Sequence, residues 1–408
     1  MKKSHYNIVS PYNGRFIHYN MLTKAILLSD SPNLDPNNPA FYENGFFVDD
    51  SVDELKLSEK ALVKEQMNST HLLLTIIPTL NCNLDCMYCY QHDMHNSAKR
   101  ISRNTLHGII AEIQQDDELT SVHVEWNGGE PLLEIELIKQ FSSELVELCD
   151  RKGIAYTSSI STNLFALNDE IVENLITARI SSVDTTLAGT ANVHDKYRLV
   201  RYEKKGSFHK VWDNIQRILK TIPLSICINV TADSEPDTYR LIDMITEIKS
   251  ENLSISFLLI EDYGFGDKGI FLDKETYFPV MLRLLEYAIS RGLKAEVNSN
   301  FGCKYVFCAA QINKSYLIHP SGRIYKCAND YSIENSIGIV SNNGFILSGT
   351  QPLFNPYLDE NCRYCNILPY CNGGCHYARH RETNFCPHEK NYITELLKLY
   401  VSSNFGIT

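Results

Sequence analysis

Residues 71–293 alternate between short apolar runs and amphipathic segments, and this alternation constrains the fold more than any other feature of the sequence. Each apolar run has the length of a buried strand, and the segment after it repeats apolar residues with helical spacing. The strand candidates lie at 72–78, 122–126, 155–161, 180–187, 224–231 and 255–260, and the helix candidates at 102–115, 136–152, 168–179, 207–221, 237–250 and 274–291. Six consecutive units predict parallel strands with right-handed crossovers. The predicted fold class is therefore α/β, a partial (β/α)6 barrel with its site at the C-terminal ends of the strands.

Two different regions flank this predicted barrel. The first 70 residues indicate a small α+β unit, with strands at 6–10 and 16–19, helices at 21–28 and 55–67, and a loop at 29–39. This unit is either a winged-helix-like clamp for a peptide or a simple cap on the next domain. Beyond about residue 299 the chain changes to loops, aromatic residues and cysteines. The predicted domains are 1–70, 71–298 and a loop-rich 299–408.

Three cysteines follow the first strand candidate within eight residues, as Cys82, Cys86 and Cys89. Thiolates with this spacing can bind three irons of a cubane [4Fe-4S] cluster and leave the fourth iron open for chemistry. A zinc site completed by His92 or His95 is the alternative, although zinc sites usually pair two C-x2-C units. Because the loop directly follows a strand, we expect it at the mouth of the barrel.

Composition restricts the partners and the compartment. The chain has 408 residues and a formal net charge of -11, so nucleic acid is not expected as a partner. No apolar run has membrane-spanning length, and residues 1–6 do not lead into a signal-peptide core. We therefore expect a cytoplasmic protein without a membrane partner, whose thiols stay reduced. Thirteen cysteines then favour metal ligation over disulfides, with the isolated Cys149 and Cys227 as buried structural thiols.

Polar motifs follow the next three strand candidates. After the second comes Asn-Gly-Gly-Glu-Pro at 127–131, in which the glycines let the backbone approach a ligand and Glu130 offers a carboxylate to an ammonium group. Ser161 and Asn163 follow the third and either bond a ribose or carboxylate or form an ordinary helix cap. Arg198 follows the fourth and is either a carboxylate partner or part of a solvated face.

The C-x3-C-x2-C loop, with Tyr88 before its last cysteine, and the Gly-Gly-Glu-Pro turn together resemble the radical SAM enzymes. The resemblance implies a cluster whose open iron chelates S-adenosylmethionine and cleaves it reductively to a 5′-deoxyadenosyl radical, which abstracts hydrogen from a substrate. An enclosed barrel suits such a radical. By position, the resemblance assigns the cluster to Cys82, Cys86 and Cys89, and S-adenosylmethionine to Tyr88, Gly128, Gly129, Glu130, Ser161, Asn163 and Arg198.

Eight further cysteines lie at positions 303 to 386, enough for two four-thiolate sites. Their number alone fits two zinc sites as well as two iron–sulfur clusters. In this series Gly322 stands five residues before Cys327, and a C-x2-C-x5-C-x3-C run begins at Cys362. The series resembles the SPASM extension of radical SAM enzymes. This resemblance implies two auxiliary [4Fe-4S] clusters, three clusters in all. It assigns a first set of Cys303, Cys308, Cys327 and Cys375, and a second set of Cys362, Cys365, Cys371 and Cys386.

SPASM enzymes mostly modify ribosomally made peptides or protein side chains. The resemblance therefore implies an enzyme, a radical SAM/SPASM peptide-modifying oxidoreductase, with a precursor peptide as substrate and a flavodoxin- or ferredoxin-type electron donor. Fully ligated auxiliary clusters suit an oxidative outcome, so we expect a crosslink such as a thioether or a carbon–carbon bond.

Three alternatives remain at this point. Formylglycine formation on a protein Ser or Cys is the first, but sulfatase maturases place an aspartate where this chain has Ala328; Asp330, Asp262 and Tyr263 are candidate bases. A radical enzyme acting on a small metabolite is the second. The third is a non-catalytic, zinc-scaffolded binding protein.

Overall fold

A computed structural model describes residues 1–91, 100–260, 269–295, 301, 306–330, 332–348, 353–381, 386 and 388–405. The chain divides into two compact units: the first is Met1–Asn68, Glu296–Asn313 and Pro352–Thr408, and the second is Ser69–Ala295 and Lys314–Gln351. Both units combine separate stretches of chain, whereas the three predicted domains are contiguous, and the predicted boundaries stay a prediction. In the described ranges, none of the helices has the length and apolar character needed to cross a bilayer.

The N-terminal part of the first unit consists of short strands and two helices. These are β1 (Lys2–Lys3), β2 (Asn7–Tyr12), β3 (Arg15–Asn20), β4 (Ile26–Ser29), α1 (Pro39–Glu43), β5 (Phe47–Val48) and α2 (Glu54–Gln66). Strands β2, β3 and β4 form an antiparallel meander. Asn13 and Gly14 join β2 to β3 with φ values of 48° and 76°, the left-handed conformation that a two-residue hairpin turn requires.

The helix predicted at 21–28 is wrong. The Asn20 side chain accepts hydrogen bonds from the backbone N–H groups of Leu22 and Thr23, which closes a turn at the end of β3. The following residues then pair with β3 as strand β4. Cross-strand pairing with β3 outweighs the local helical spacing of the apolar residues.

The second unit, as far as its described residues show, is built on an eleven-stranded sheet. Its strands are β6 (His71–Ile76), β8 (Ser121–Trp126), β9 (Ala155–Ser161), β10 (Ile180–Leu187), β12 (Leu224–Val230), β13 (Leu253–Leu259), β14 (Lys294–Ala295), β15 (Ser315–Ile318), β16 (Arg323–Tyr325), β17 (Gly338–Ser341) and β18 (Gly344–Leu347). Strands β6, β8, β9, β10, β12 and β13 are neighbours in that order, and all five pairings are parallel. The predicted α/β class with six parallel strands is confirmed.

Helices follow these strands: six lie at the predicted places, and the one at 191–197 was not predicted. They are α3 (Arg103–Gln115), α4 (Ile135–Lys152), α5 (Asp169–Thr177), α6 (Ala191–Tyr197), α7 (Phe208–Ile218), α8 (Glu235–Thr246) and α9 (Lys274–Ser290). Local sequence sets their ends: the Ser102 side chain accepts from the Thr105 backbone N–H at the start of α3, and Gly153 ends α4 in the left-handed conformation at φ 69°.

The sheet also extends beyond β6, where the sequence indicated only loops. Strand β15 pairs in parallel with β6, and β16, β17 and β18 continue from it as an antiparallel meander. Strands of three or four residues are too short to show a clear alternation in the sequence.

The C-terminal helices of the first unit are α10 (Leu368–Cys371), α11 (His376–Arg381) and α12 (Ile393–Phe405). An aromatic cluster joins this part to the N-terminal meander. Phe301 stacks on Tyr400 with ring centroids 5.4 Å apart, and the Tyr19 ring lies 5.3 Å from that of Phe301. The Tyr19 hydroxyl also donates to the Phe301 carbonyl oxygen at 2.5 Å.

We expect Gly108→Ala to destabilise the second unit, although Gly to Ala inside a helix ordinarily stabilises by about 0.5–1 kcal/mol. A Cβ atom at position 108 of α3 would lie 2.0 Å from the Ser341 carbonyl oxygen and 2.6 Å from Val340 Cγ1. Overpacking of this kind costs about 1–3 kcal/mol, measurable by urea denaturation. Gln114→Ala, at an exposed position of the same helix, is the control and should stay within about 0.5 kcal/mol of wild type. A Gly108→Ala protein as stable as wild type would contradict this close packing.

Candidate active site

The cysteine loop after β6 is held by backbone hydrogen bonds. Its strand β7 (Leu84–Cys86) pairs antiparallel with β11 (Arg198–Val200), so that Cys86 lies opposite Arg198. The Met87 N–H donates to the Tyr197 carbonyl oxygen at 3.0 Å, beside this strand pair. The loop after the first parallel strand is thus fixed against the segment after the fourth.

The three thiols of this loop face a common site. Cys82, Cys86 and Cys89 are all partly buried. Burial raises the pKa of the Cys82 and Cys86 thiols, and it raises the pKa of Cys89 to about 12. The charges of Cys86 and Cys89 raise the pKa of Cys82 further, which requires the three groups to lie near one another. Metal binding would have to displace their protons.

The thiol spacing bears on the kind of metal site. Among the residues that the structure describes, no three His, Cys, Asp or Glu side chains converge closely enough to share one metal ion. A zinc ion needs its sulfur ligands at about 2.3 Å from one centre. A cubane binds each thiolate through a different iron and spreads its cysteines further apart. The described thiols are compatible with a cubane, which does not need three side chains around one metal ion.

The glycines after β8 allow close contact with the chain that leads into the cysteine loop. Gly128 has φ 129°, and a Cβ there would lie 2.8 Å from the Thr79 carbonyl oxygen. A Cβ on Gly129 would lie 2.2 Å from the carbonyl oxygen of Asn81. The Gly129 N–H donates to the Thr79 oxygen at 3.1 Å, and the Glu130 N–H to the Asn81 oxygen at 2.8 Å. These positions need glycine to dock the second loop on the first.

The Glu130 side chain ties the second loop to the third. It is 0% exposed, and its carboxylate accepts from the Leu132 N–H at 3.0 Å, the Thr162 hydroxyl at 2.6 Å and the Asn163 N–H at 2.8 Å. Burial raises the pKa of this carboxyl, and the three donors oppose that shift. The predicted contact between Glu130 and an ammonium group stays a prediction.

The third loop also reaches the cysteines directly. The Asn163 amide donates to Asn83 Oδ1 at 2.8 Å, and its nitrogen lies 3.7 Å from Cys82 Sγ. Ser161 is partly buried at the end of β9, opposite Asp184 of β10. Asn163 therefore acts on the cysteine loop, beyond the predicted roles of ribose contact or helix cap.

Arg198 is a buried cation and not part of a solvated face. It is 6% exposed, and its Nη1 donates to the Tyr88 hydroxyl at 3.4 Å. Its Nε is buried and has no hydrogen-bond partner in the described part of the chain. A buried guanidinium with an unused donor suits a carboxylate ligand, so this residue fits the amino acid end of S-adenosylmethionine.

Sequence reasoning missed several residues that support this site. Tyr197 is buried, with its ring centroid 6.3 Å from that of Tyr88. Its hydroxyl donates to Asp233 Oδ1 at 2.8 Å, and Lys196 Nζ lies 2.6 Å from the other Asp233 oxygen. The hydrogen bond from Lys196 lowers the pKa of Asp233 to about 2. These contacts join sequence-distant loops, so no local pattern could have revealed them.

The second predicted set of auxiliary cysteines comes together in the first unit. Among the described residues, one small cavity is lined by all four of its thiols and by two basic residues, namely Cys362, Cys365, Cys371, Cys386, Arg379 and Lys390. Burial raises the pKa of Cys371 to about 12, with smaller contributions from the charges of the other three thiols. Four thiols that line one cavity are a suitable donor set for an iron–sulfur cluster.

The first predicted set is described only in part. Cys308 and Cys375 are close enough for the Cys375 charge to add to the raised pKa of Cys308, which is due mainly to burial. Cys327 belongs to the other unit. Cys303 lies outside the described residues, as do His92, His95, Asp262 and Tyr263.

The candidate base Asp330 is engaged within its own loop. Its Oδ1 accepts from the Asn335 amide at 2.6 Å and lies 3.5 Å from the Ser332 hydroxyl. Ala328 packs against a small apolar cluster that includes Leu80 and Tyr325. A role for Asp330 as a base stays a prediction.

Comparisons with known proteins decide the family of this site. The model of the radical SAM superfamily matches residues 76–245, which include the cysteine loop and the Gly-Gly-Glu-Pro turn. Residues 76–245 are a radical SAM domain, and the chain is an enzyme. The superfamily implies a [4Fe-4S] cluster and S-adenosylmethionine as cofactors. The alternative of a non-catalytic zinc-scaffolded protein is therefore wrong.

Relatives and solved structures extend the similarity over most of the chain. A cysteine-type anaerobic sulfatase-maturating enzyme of Clostridium novyi (strain NT) is 27% identical over 80% of this chain and 93% of its own length. The structure of native anSMEcpe with bound AdoMet and Cp18Cys peptide has a TM-score of 0.63 at 17% identity, covering 82% of this chain and 99% of that one. The crystal structure of Streptococcus suis SuiB has a TM-score of 0.55 at 16% identity, covering 94% and 97%. At these identities the two structures show a shared fold.

We expect Glu130→Gln to destabilise the site. The variant replaces one carboxylate oxygen with an NH2 group, which cannot accept a hydrogen bond from Leu132, Thr162 or Asn163. A buried donor that loses its acceptor in this way costs about 1–3 kcal/mol. Urea denaturation of the second unit measures the loss. Glu147→Gln, at an exposed position of α4, is the matched control. If both variants unfold at the wild-type midpoint, Glu130 does not hold the loops together.

Proposed function

We propose that this chain is a maturase that acts on a ribosomally synthesised precursor peptide and installs an oxidative crosslink between side chains, as a thioether, a carbon–carbon bond or similar. The observation that carries the proposal is the preformed loop of three thiols beside the buried Arg198 and the Gly-Gly-Glu turn. A peptide substrate is supported by the solved complexes of two similar proteins, SuiB bound to precursor peptide SuiA and anSMEcpe with a bound peptide.

Each part of the site has a separate task in this proposal. Cys82, Cys86 and Cys89 would hold the first cluster, and Arg198 would take the carboxylate of S-adenosylmethionine through its unused Nε. Tyr88, Gly128, Gly129, Glu130, Ser161 and Asn163 are the remaining proposed contacts of that cofactor. When bound, cluster and cofactor supply the 5′-deoxyadenosyl radical that removes hydrogen from a substrate side chain.

The auxiliary cysteines suit the oxidative half of the reaction. A substrate that gains a crosslink loses one hydrogen atom to the cofactor-derived radical, one proton to a base such as Asp330, and one electron. The set formed by Cys362, Cys365, Cys371 and Cys386 could hold a fully ligated cluster that accepts this electron. The set of Cys303, Cys308, Cys327 and Cys375 would hold the other auxiliary cluster. A flavodoxin- or ferredoxin-type protein would exchange electrons with the enzyme.

Formylglycine formation on a protein Ser or Cys is the second candidate. It is favoured by the similarity to the Clostridium novyi sulfatase-maturating enzyme over 93% of the length of that protein. The alanine at position 328, where sulfatase maturases have an aspartate, favours the crosslink.

We expect the triple variant with alanine at Cys82, Cys86 and Cys89 to bind about eight irons per chain instead of about twelve, and to form no 5′-deoxyadenosine. Iron and sulfide analysis after anaerobic purification measures the first effect, and chromatography of reactions with S-adenosylmethionine and dithionite measures the second. Cys149→Ala, which removes a buried thiol of α4 outside all three sets, should keep the full iron content. Cofactor cleavage by the triple variant would show that the cluster assignment is wrong.

The crosslink and the formylglycine hypotheses differ in their products. Co-expression with a short peptide encoded beside this gene should give a product that has lost two hydrogen atoms and resists fragmentation between the joined residues. Mass spectrometry measures both properties. A product that reacts with a hydrazide reagent would instead be an aldehyde and favour formylglycine. An unchanged mass would contradict both hypotheses and indicate epimerisation or no reaction.

A further inference from the structure

One arginine contacts a thiol of the second auxiliary set. Arg379 of α11 donates from Nη2 to Cys362 Sγ at 3.1 Å, and it lines the same cavity as all four thiols. Lys390, the other basic residue at this cavity, is exposed. Of these two basic residues, Arg379 is therefore the partly buried one that contacts a thiol.

Two hydrogen bonds and an aromatic ring hold the guanidinium of Arg379 in place. Its Nη1 donates to Asp359 Oδ2 at 3.3 Å, and its Nε donates to the Gly373 carbonyl oxygen. The guanidinium carbon lies 4.7 Å from the centroid of the Phe354 ring. The side chain is only 17% exposed. Three different partners thus fix its orientation toward Cys362.

The residues that hold Arg379 belong to the same loops that carry the thiols. The Cys362 N–H donates to the Asp359 carbonyl oxygen at 3.1 Å, so Asp359 anchors both the arginine and the start of the cysteine loop. The Arg379 N–H donates to the Cys375 carbonyl oxygen at 3.1 Å. A shift of the arginine relative to Cys362 would break several of these bonds at once. The contact is a preorganised part of the site.

We propose that Arg379 is a positioning residue that raises the reduction potential of the cluster held by Cys362, Cys365, Cys371 and Cys386. One-electron reduction adds a negative charge to such a cluster, and both a nearby cation and an N–H···S hydrogen bond stabilise the more negative state. A higher potential makes the site a better acceptor for the electron that the substrate loses. The inference rests on the proposed function, because it takes these four thiols to hold a [4Fe-4S] cluster.

The test is a redox titration followed by electron paramagnetic resonance. It uses the full chain in the triple-alanine background at Cys82, Cys86 and Cys89, so that only auxiliary clusters contribute. Arg379→Gln should lower the midpoint of one auxiliary signal, with a reduction equilibrium constant about tenfold smaller, equal to about 59 mV for a one-electron couple. Arg379→Lys retains the charge and should shift the midpoint less.

Arg363→Gln is the matched control. This arginine lies between Cys362 and Cys365 in sequence, but its guanidinium lies over the Tyr364 ring at 5.1 Å. Its replacement removes the same charge from the same loop and should leave both midpoints unchanged. An equal shift in Arg363→Gln and Arg379→Gln would overturn a specific role for the contact with Cys362.

Iron analysis separates this inference from the proposed function. If alanine at Cys362 and Cys365 removes no iron, the proposed function and the inference fail together. If iron is bound there and Arg379→Gln has the wild-type midpoint, the inference alone fails. Loss of about four irons from Arg379→Gln and Arg379→Lys alike would make Arg379 a structural residue and overturn the tuning role.

Discussion

The candidate active site depends on the buried carboxylate of Glu130. A carboxylate without contact to water is costly unless donors satisfy its oxygens, and this one accepts from Leu132, Thr162 and Asn163. The backbone N–H of Glu130 donates at the same time to Asn81, just before the first cysteine. One residue therefore fixes the loops after β6, β8 and β9 relative to one another. Because the carboxylate oxygens are satisfied only when the loops after β8 and β9 are both in place, we expect these two loops to order together.

The cysteine loop is held from its other side by the segment after β10. The pairing of β7 with β11 fixes its backbone, and Tyr197 packs beside Tyr88 while bonding to Asp233 after β12. These protein contacts hold the backbone that carries the thiols. Folding of the protein already restricts the conformations of the cysteine loop. The entropy that the loop would lose on metal binding is therefore smaller. A flexible C-x3-C-x2-C peptide would lose more entropy on binding.

The parts of the fold that sequence predicts well are those with a local signal. The six strand–helix units have clear periodicity, and the structure has them within a few residues of the predicted ends. The strand Ile26–Ser29 and the short strands β15 to β18 depend on pairing with distant residues, which no local pattern encodes. The site shows the same division. Its residue types stand out by motif, but the partners of Glu130 and Asn163 lie far away in sequence, so their roles in joining loops emerge only in three dimensions.

A buried arginine in the second unit and a partly buried one in the first lie beside thiols, and the choice of residue type follows from electrostatics. Iron binding would turn thiols into thiolates in a chain that already carries a net charge of -11, so each proposed site would need a cation that stays charged when buried. Burial lowers the pKa of His194 well below its usual value, so that side chain is neutral and supplies no charge. A buried lysine also loses its proton readily, whereas a guanidinium stays charged. Arg198 near Cys86 and Arg379 at Cys362 therefore provide positive charge that the surrounding protein cannot remove.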